Sequence, residues 1–494
     1  MYRKTLGLLV SLSLVGCGGG GGDSQFAKDN YPTQACPSNM TCGFMKAPKD
    51  YNNPNGEQVD IYYGVHKAND PANRIGALLL NFGGPSAEAV SGAGYMVEKE
   101  LPKEILDRFD IVGMDPRGTG QSVFAKELTD CAVAQSNKQG DCSATYSQVA
   151  PFLGSNTVVK DMDMLRNLLG DEKLTFLGYS YGTRLGSLYA HTFPDKVRAI
   201  VLDSSMSPLD DNYIEMRVDN TAGYGKAADY RLGHDFALSS RYQTIVDSLF
   251  ANSTYSANDV DLTLAEGSFT LGLTVARETS GDWQKIKPGL MTLLVQDSAA
   301  PIKKALSDND DWPFVSHLST SPDDLRGSAL FKAVVCTDES SPLTTNEIVN
   351  SKDRYILASA LYGLNTYYST AGMCIDWPAK RDPIATVSNM ESALGGQQIL
   401  IIGGQYDPAT PYSWAEEMVD AFGNSASLIT VDNYVDHGFS YSNISCVDQK
   451  TTAYLLDPDT KISDETCDAS ALSQNKSFMI APDTSHPAKD VIGW

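Results

Sequence analysis

Apolar residues along the chain gather into short blocks separated by glycine-rich and polar turns, and the blocks alternate between two periods. Gln58 to Lys67 places Val59, Ile61, Tyr63 and Val65 at every second position, which predicts an early strand. Ile75 to Asn81, Phe109 to Met114, Leu174 to Leu177 and Val197 to Asp203 are compact apolar runs, the pattern of strands buried on both faces. Val158 to Leu169 predicts a helix, and Leu185, Leu188 and Tyr189 are spaced for one face of another. Strands alternating with helices in this way predict an α/β fold, a mostly parallel sheet covered on both faces.

The alternation stops at Ser204 and returns only with Gln398 to Ile402 and Ser427 to Val431. Residues 58–204 and 396–494 are therefore expected to form one sheet domain in two parts. Residues 205–395 form an inserted, mainly helical lid over one edge of the sheet, with amphipathic segments at Arg241 to Phe250 and Leu325 to Val335. Trp283, Trp312 and Trp377 are scattered through it and are expected in its core rather than against substrate. Asp23 to Asp50 is polar and rich in turn residues, so 17–57 reads as a tether followed by an irregular arm.

Charge narrows the partners. The 494 residues carry 61 acidic and 38 basic side chains, a net charge of -23 spread along the chain, which argues against a nucleic-acid partner. The N-terminus alters the meaning of the cysteines. Arg3 and Lys4 precede an apolar segment from Leu6 to Val15, too short for a permanent span and suited to a signal peptide over residues 1–16. It ends Leu14-Val15-Gly16-Cys17, which resembles a bacterial lipobox with Cys17 as the lipidated residue; an ordinary cleaved signal is the alternative. Gly18 to Gly22 is a flexible tether. Together these features predict export to the cell envelope and a lipid anchor in the membrane, at the outer membrane or the periplasmic face.

Eight cysteines remain. In an oxidising compartment, proximity in sequence pairs Cys36 with Cys42, Cys131 with Cys142, Cys336 with Cys374, and Cys446 with Cys467; reduced buried thiols are the alternative. No C-x-x-C and no zinc-spaced histidine pair occurs, so the sequence calls for neither a metal nor a cofactor.

The candidate chemistry begins at Gly178-Tyr179-Ser180-Tyr181-Gly182. A serine held at the tip of a sharp strand-to-helix turn leaves no room for side chains two residues away, hence the bracketing glycines. The pattern is common by chance, and its setting decides its meaning. A buried strand running into Phe82-Gly83-Gly84-Pro85-Ser86 suggests backbone amides for an oxyanion hole, with a plain Gly-Pro turn as the alternative. Asp407 leaves one late strand and His437 lies in the loop after the next, which completes the order Ser, Asp, His. His66, His191, His234, His317 and His486 lie elsewhere, and Asp432 and Asp436 stand too close to His437 in sequence to orient its far ring nitrogen. Asp115 to Ser122 lacks the lysine of a phosphate loop and reads as a structural turn in which Asp115 and Arg117 tie adjacent loops.

Gly178 to Gly186, Phe193-Pro194, Val201-Leu202-Asp203, Asp115 to Ser122, Asp407 to Pro411 and the stretch from Ser445 to Cys467 resemble the tripeptidyl aminopeptidase-like branch of the prolyl aminopeptidase (S33) α/β-hydrolases. The resemblance runs from about residue 58 to 467 and is weakest in the lid. It departs at Ser86, where the family has glycine, and at Asp436, where glycine usually precedes the histidine. It implies an exported serine peptidase with Ser180, His437 and Asp407 as triad and the Tyr181 amide with Gly83 or Gly84 as oxyanion hole. Its substrates would be peptides with a free N-terminus. An aminopeptidase needs carboxylates for the substrate ammonium; Asp338 and Glu339 beside Cys336 are candidates, or else surface acids of an acidic protein. The same triad suits a carboxylesterase or lipase, and a binding protein on an inactive scaffold is a third reading.

Overall fold

The computed structural model describes residues 36–209, 212–275, 282–307 and 321–474. The signal segment, Cys17, the glycine tether, Trp312, His317 and His486 lie outside them, and so does the side chain of Trp283.

Among the described residues eleven strands follow in chain order. They are β1 (Thr41–Pro48), β2 (Gln58–His66), β3 (Gly76–Asn81), β4 (Phe109–Met114), β5 (Leu174–Tyr179), β6 (Val197–Asp203), β7 (Thr254–Ser256), β8 (Asp261–Thr263), β9 (Ile399–Gly404), β10 (Ala426–Asp432) and β11 (Glu465–Asp468). Nine form one sheet in the order β1-β2-β4-β3-β5-β6-β9-β10-β11, and β7 pairs only with β8. β1 pairs antiparallel with β2 and β2 antiparallel with β4; from β4 to β11 along the sheet the pairing is parallel. Successive residues of β3 face opposite ways, as a pleated strand requires. Leu79 joins the core beneath helices Ser155–Leu168 and Tyr181–Thr192, while Leu78 and Leu80 join the core beneath Ala89–Tyr95 and Ser445–Leu456. Both faces are covered, so every residue of β3, β4, β5 and β9 is buried and most are apolar.

Two expectations need correction. The stretch read as an irregular arm contains β1, an edge strand along the whole of β2. Along it only Met45, Ala47 and Pro48 are buried, so its apolar signal is faint. The inserted segment is also not a single separate layer. Its helix Pro322–Asp338 puts Ala329, Leu330, Ala333 and Val334 into the sheet's own core, whereas Tyr213–Arg231 and Phe236–Asn252 build an independent apolar cluster. Trp377 is partly buried and packs against Tyr146 at 4.8 Å between ring centroids.

Disulfides join Cys36 to Cys42, Cys131 to Cys142, Cys336 to Cys374 and Cys446 to Cys467. Arg117 is buried. It forms a two-point ion pair with Asp161 at 2.7 and 2.9 Å and donates to the carbonyls of Pro48 and Lys49, so the turn after β4 does tie the end of β1 to a core helix. Its partner in that reading, Asp115, accepts from the Val90 N–H at 2.9 Å, and burial pushes its carboxyl up to about 7.

Candidate active site

Ser180 stands between β5 and the helix Tyr181–Thr192 with φ 54° and ψ −124°, a conformation that side chains rarely adopt. The turn is crowded on every side. A Cβ at Gly178 would come within 2.6 Å of the Gly182 carbonyl oxygen, and one at Gly182 within 2.7 Å of Asn81 Oδ1. One at Gly83, whose φ is +84°, would lie 2.8 Å from Ser180 Cβ. Glycine is thus required both in the turn and in the neighbouring loop that presses on it.

The two candidate oxyanion glycines differ. The Gly83 N–H donates to Asn81 Oδ1 at 3.0 Å and is committed within the loop. The amides of Gly84 and of Tyr181, at the first position of its helix, have no acceptor among the described residues. Ser86, where the resemblance expects glycine, is accommodated because its side chain faces Gly327 of the lid helix, 3.5 Å from where a Cβ would stand.

Asp407 and His437 follow the C-terminal ends of β9 and β10, and both side chains are fully buried. His437 Nδ1 lies 3.0 Å from each oxygen of Asp407. The carboxylate also accepts from the N–H groups of Ala409 and Thr410 and from the Thr410 hydroxyl, each at 2.9 Å. An acid bound by that many donors is held in place. Asp436, the second departure from the family pattern, is buried and accepts the backbone N–H of His437 at 2.8 Å.

Sequence reasoning missed the residue that joins the two halves. Asp203, at the end of β6, accepts the Ser180 N–H on its backbone carbonyl at 3.0 Å. Its carboxylate accepts the N–H groups of Phe439 and Ser440, at 3.1 and 2.6 Å, and the Ser440 hydroxyl. Ser204 accepts the Gly438 N–H at 2.8 Å, and Tyr179 donates its phenol to the Ser440 carbonyl at 3.0 Å. The serine turn and the histidine loop therefore both hang from Asp203 at the end of β6, and Ser204 just after it holds the loop as well. Burial pushes the Asp203 carboxyl up to about 6, against the pull of those donors. The available signal was an aspartate closing a buried strand.

The lid carboxylates are committed to partners within the chain. Asp338 is buried, accepts the Ser155 N–H at 2.8 Å and its hydroxyl, and through that hydroxyl reaches the Tyr181 phenol, 2.7 Å further on. Burial raises its carboxyl to about 7. Glu339 pairs with Arg381 at 2.5 Å and accepts the Tyr213 N–H at 3.1 Å.

Residues 359–467 match the TAP-like protein family. Carboxylesterase B of Mycobacterium tuberculosis is 30% identical over 84% of this chain and 84% of its own. The chain belongs to the TAP-like family of α/β-hydrolases. Serine protease Hip1 of Mycobacterium tuberculosis is 29% identical over 89% of each chain, and the tripeptidyl aminopeptidase of Streptomyces coelicolor 26% identical over 87% of this chain and 83% of its own. This TAP-like protein is accordingly a serine hydrolase, and the resemblance read from its motifs agrees with the family match. No helix among its described residues is long and apolar enough to cross a membrane.

Proposed function

We propose that this protein is an exported peptidase that releases short units from peptide N-termini through an acyl-enzyme on Ser180. The observation that carries the reading is the fully buried His437–Asp407 pair, anchored through β6 to the same residue that holds the Ser180 backbone. Asp407 fixes the tautomer with the proton on Nδ1, which leaves Nε2 to take the proton from Ser180 as its oxygen attacks the carbonyl. The Tyr181 amide, at a helix N-terminus, and the Gly84 amide receive the oxyanion; Gly83 serves by its lack of a side chain. Protonated His437 then returns its proton to the leaving amine, and water resolves the acyl-enzyme by the same steps in reverse. Relatives named serine protease and tripeptidyl aminopeptidase support peptide as the substrate.

Ester hydrolysis is the second reading. It is favoured by the commitment of Asp338 and Glu339 to Ser155, Tyr213 and Arg381, which removes them as partners for a substrate ammonium, and by the relative named carboxylesterase. Turnover of free-amine peptide anilides, their N-blocked forms and short acyl esters separates the two. Free-amine peptides are expected to be cleaved best, and a preference for blocked peptides or esters would defeat the aminopeptidase reading.

Export and anchoring through Cys17 belong to the same proposal, supported by the signal-like N-terminus and by four disulfides of the kind that persist in an oxidising compartment.

A further inference from the structure

The helix Tyr213–Arg231 of the inserted segment lies over the acid loop of the site. Asn220 donates its side-chain amide to the carbonyls of Pro408 and Ala409, at 3.2 and 2.7 Å. A Cβ at Gly223 would stand 3.2 Å from the Asp407 carbonyl oxygen. At helical spacing Tyr213, Arg217, Asn220 and Tyr224 share one face, so Arg217 stands one turn from these contacts and on the same side.

The surroundings of Arg217 are unusual for a cation. Its electrostatic neighbours are the phenols of Tyr213, Tyr224 and Tyr355, with Tyr224 as its hydrogen-bonding partner. Its Nε is buried and has no acceptor. No carboxylate among the described residues forms an ion pair with it, and acids nearby in the fold are engaged elsewhere: Glu215 by Arg354, Glu339 by Arg381, and Asp219 by the Trp414 indole. A guanidinium withdrawn from water without an anion is costly, and phenols offset little of that cost. The residue as a whole keeps part of its surface exposed. A planar fork of donors in this state matches one ligand chemistry above others, a carboxylate bound at two points.

We infer that Arg217 is a substrate subsite that binds a carboxylate, and that the enzyme selects peptides carrying an acidic group near the cleaved bond. The inference rests on the peptidase reading for the word peptide, but not for the carboxylate. The group could be an acidic side chain or a free C-terminus, and both present the same two oxygens.

The test measures kcat/KM with the full-length protein on matched pairs: peptide anilides with Glu or Gln at each position in turn, and short peptides with a free or amidated C-terminus. The readout is the ratio within a pair, which cancels any general loss of activity. The wild type is expected to favour one acidic member about tenfold or more, the range of a hydrogen bond to a charged group. In Arg217→Gln that ratio is expected to fall to near one. Arg217→Lys, which keeps the charge without the fork, should retain part of it and serves if the glutamine variant folds poorly. The pair that responds identifies the source of the carboxylate. A wild-type ratio near one in every pair, or a preference that survives in Arg217→Gln, overturns the subsite. If esters are hydrolysed and peptides are not, the same contrast is read on nitrophenyl esters of glutaric and valeric acid. A glutarate preference lost in Arg217→Gln then supports the subsite while the peptidase reading fails, and its absence overturns the subsite.

Discussion

The candidate site in the sheet half and the surroundings of Arg217 in the inserted half treat charge withdrawn from water in opposite ways. In the sheet half, each buried ionic side chain at a working position has its partners. Asp407 has His437, Thr410 and two backbone amides, Asp203 has the loop after His437, and Arg117 has Asp161. In the inserted half, Arg217 sits among phenols with no anion. A fully satisfied network holds the reacting atoms in one geometry, as chemistry at a serine requires. An unanswered charge has a reason to wait for a ligand. On the proposed reading catalysis belongs to the sheet and selection to the insertion, and the contrast can be broken from either side.

The largest expected effect is on the acid. Asp407→Asn keeps the shape of the group but lets His437 adopt the wrong tautomer, and kcat should fall by roughly ten-thousandfold with the thermal melt little changed. A loss below about tenfold would move the acid's role elsewhere, with Asp203 the next carboxylate in place.

A smaller loss is expected on removing the tie between the two loops. In Asp203→Asn an amide N–H meets the donors of Phe439 and Ser440, the His437 loop shifts, and activity should drop by about a hundredfold, the scale of a misplacement near 1 Å. KM should change much less than kcat, because the substrate-binding elements are untouched. An equal rise in KM would mean that the variant has disturbed the inserted segment instead.

The smallest effect concerns pH. Asp115, Asp203 and Asp338 are raised by burial from an ordinary 3.8 to about 7, 6 and 7. The native state therefore binds more protons than the unfolded chain between these values. The stability linked to them is complete below about pH 4 and is lost as pH rises through 6 to 7. The melting temperature should fall between pH 5 and pH 8, and the fall should be shallower in Asp338→Asn. A melting temperature that rises over this range would contradict the assignment of these carboxyls as buried.

How much of this was legible in sequence follows the same division. The central strands were readable because burial on both faces makes them unbroken apolar runs, as in β3 and β5. Edge strands were not: β1 buries few residues, and in the four-residue β11 only Cys467 is buried. The Ser180 turn and the meeting of Asp407 with His437 were readable from their positions at strand ends. Asp203 was not, because its partners at Phe439 and Ser440 lie 236 and 237 residues away and are chosen by the packing of β6 beside β9 and β10. Asp338 and Glu339 looked available because nothing in the sequence announces Ser155 or Arg381 as their partners. Arg217 gave no signal at all, since a lone arginine on a helix is usually solvated and only the surrounding tyrosines distinguish this one.

The central claim is that Ser180 is the nucleophile served by the buried His437–Asp407 pair. A fluorophosphonate probe followed by peptide mapping tests it most directly. The adduct is expected on Ser180 in the wild type, absent in Ser180→Ala and strongly slowed in Asp407→Asn. Labelling at another serine, or labelling that persists in Ser180→Ala, would contradict it.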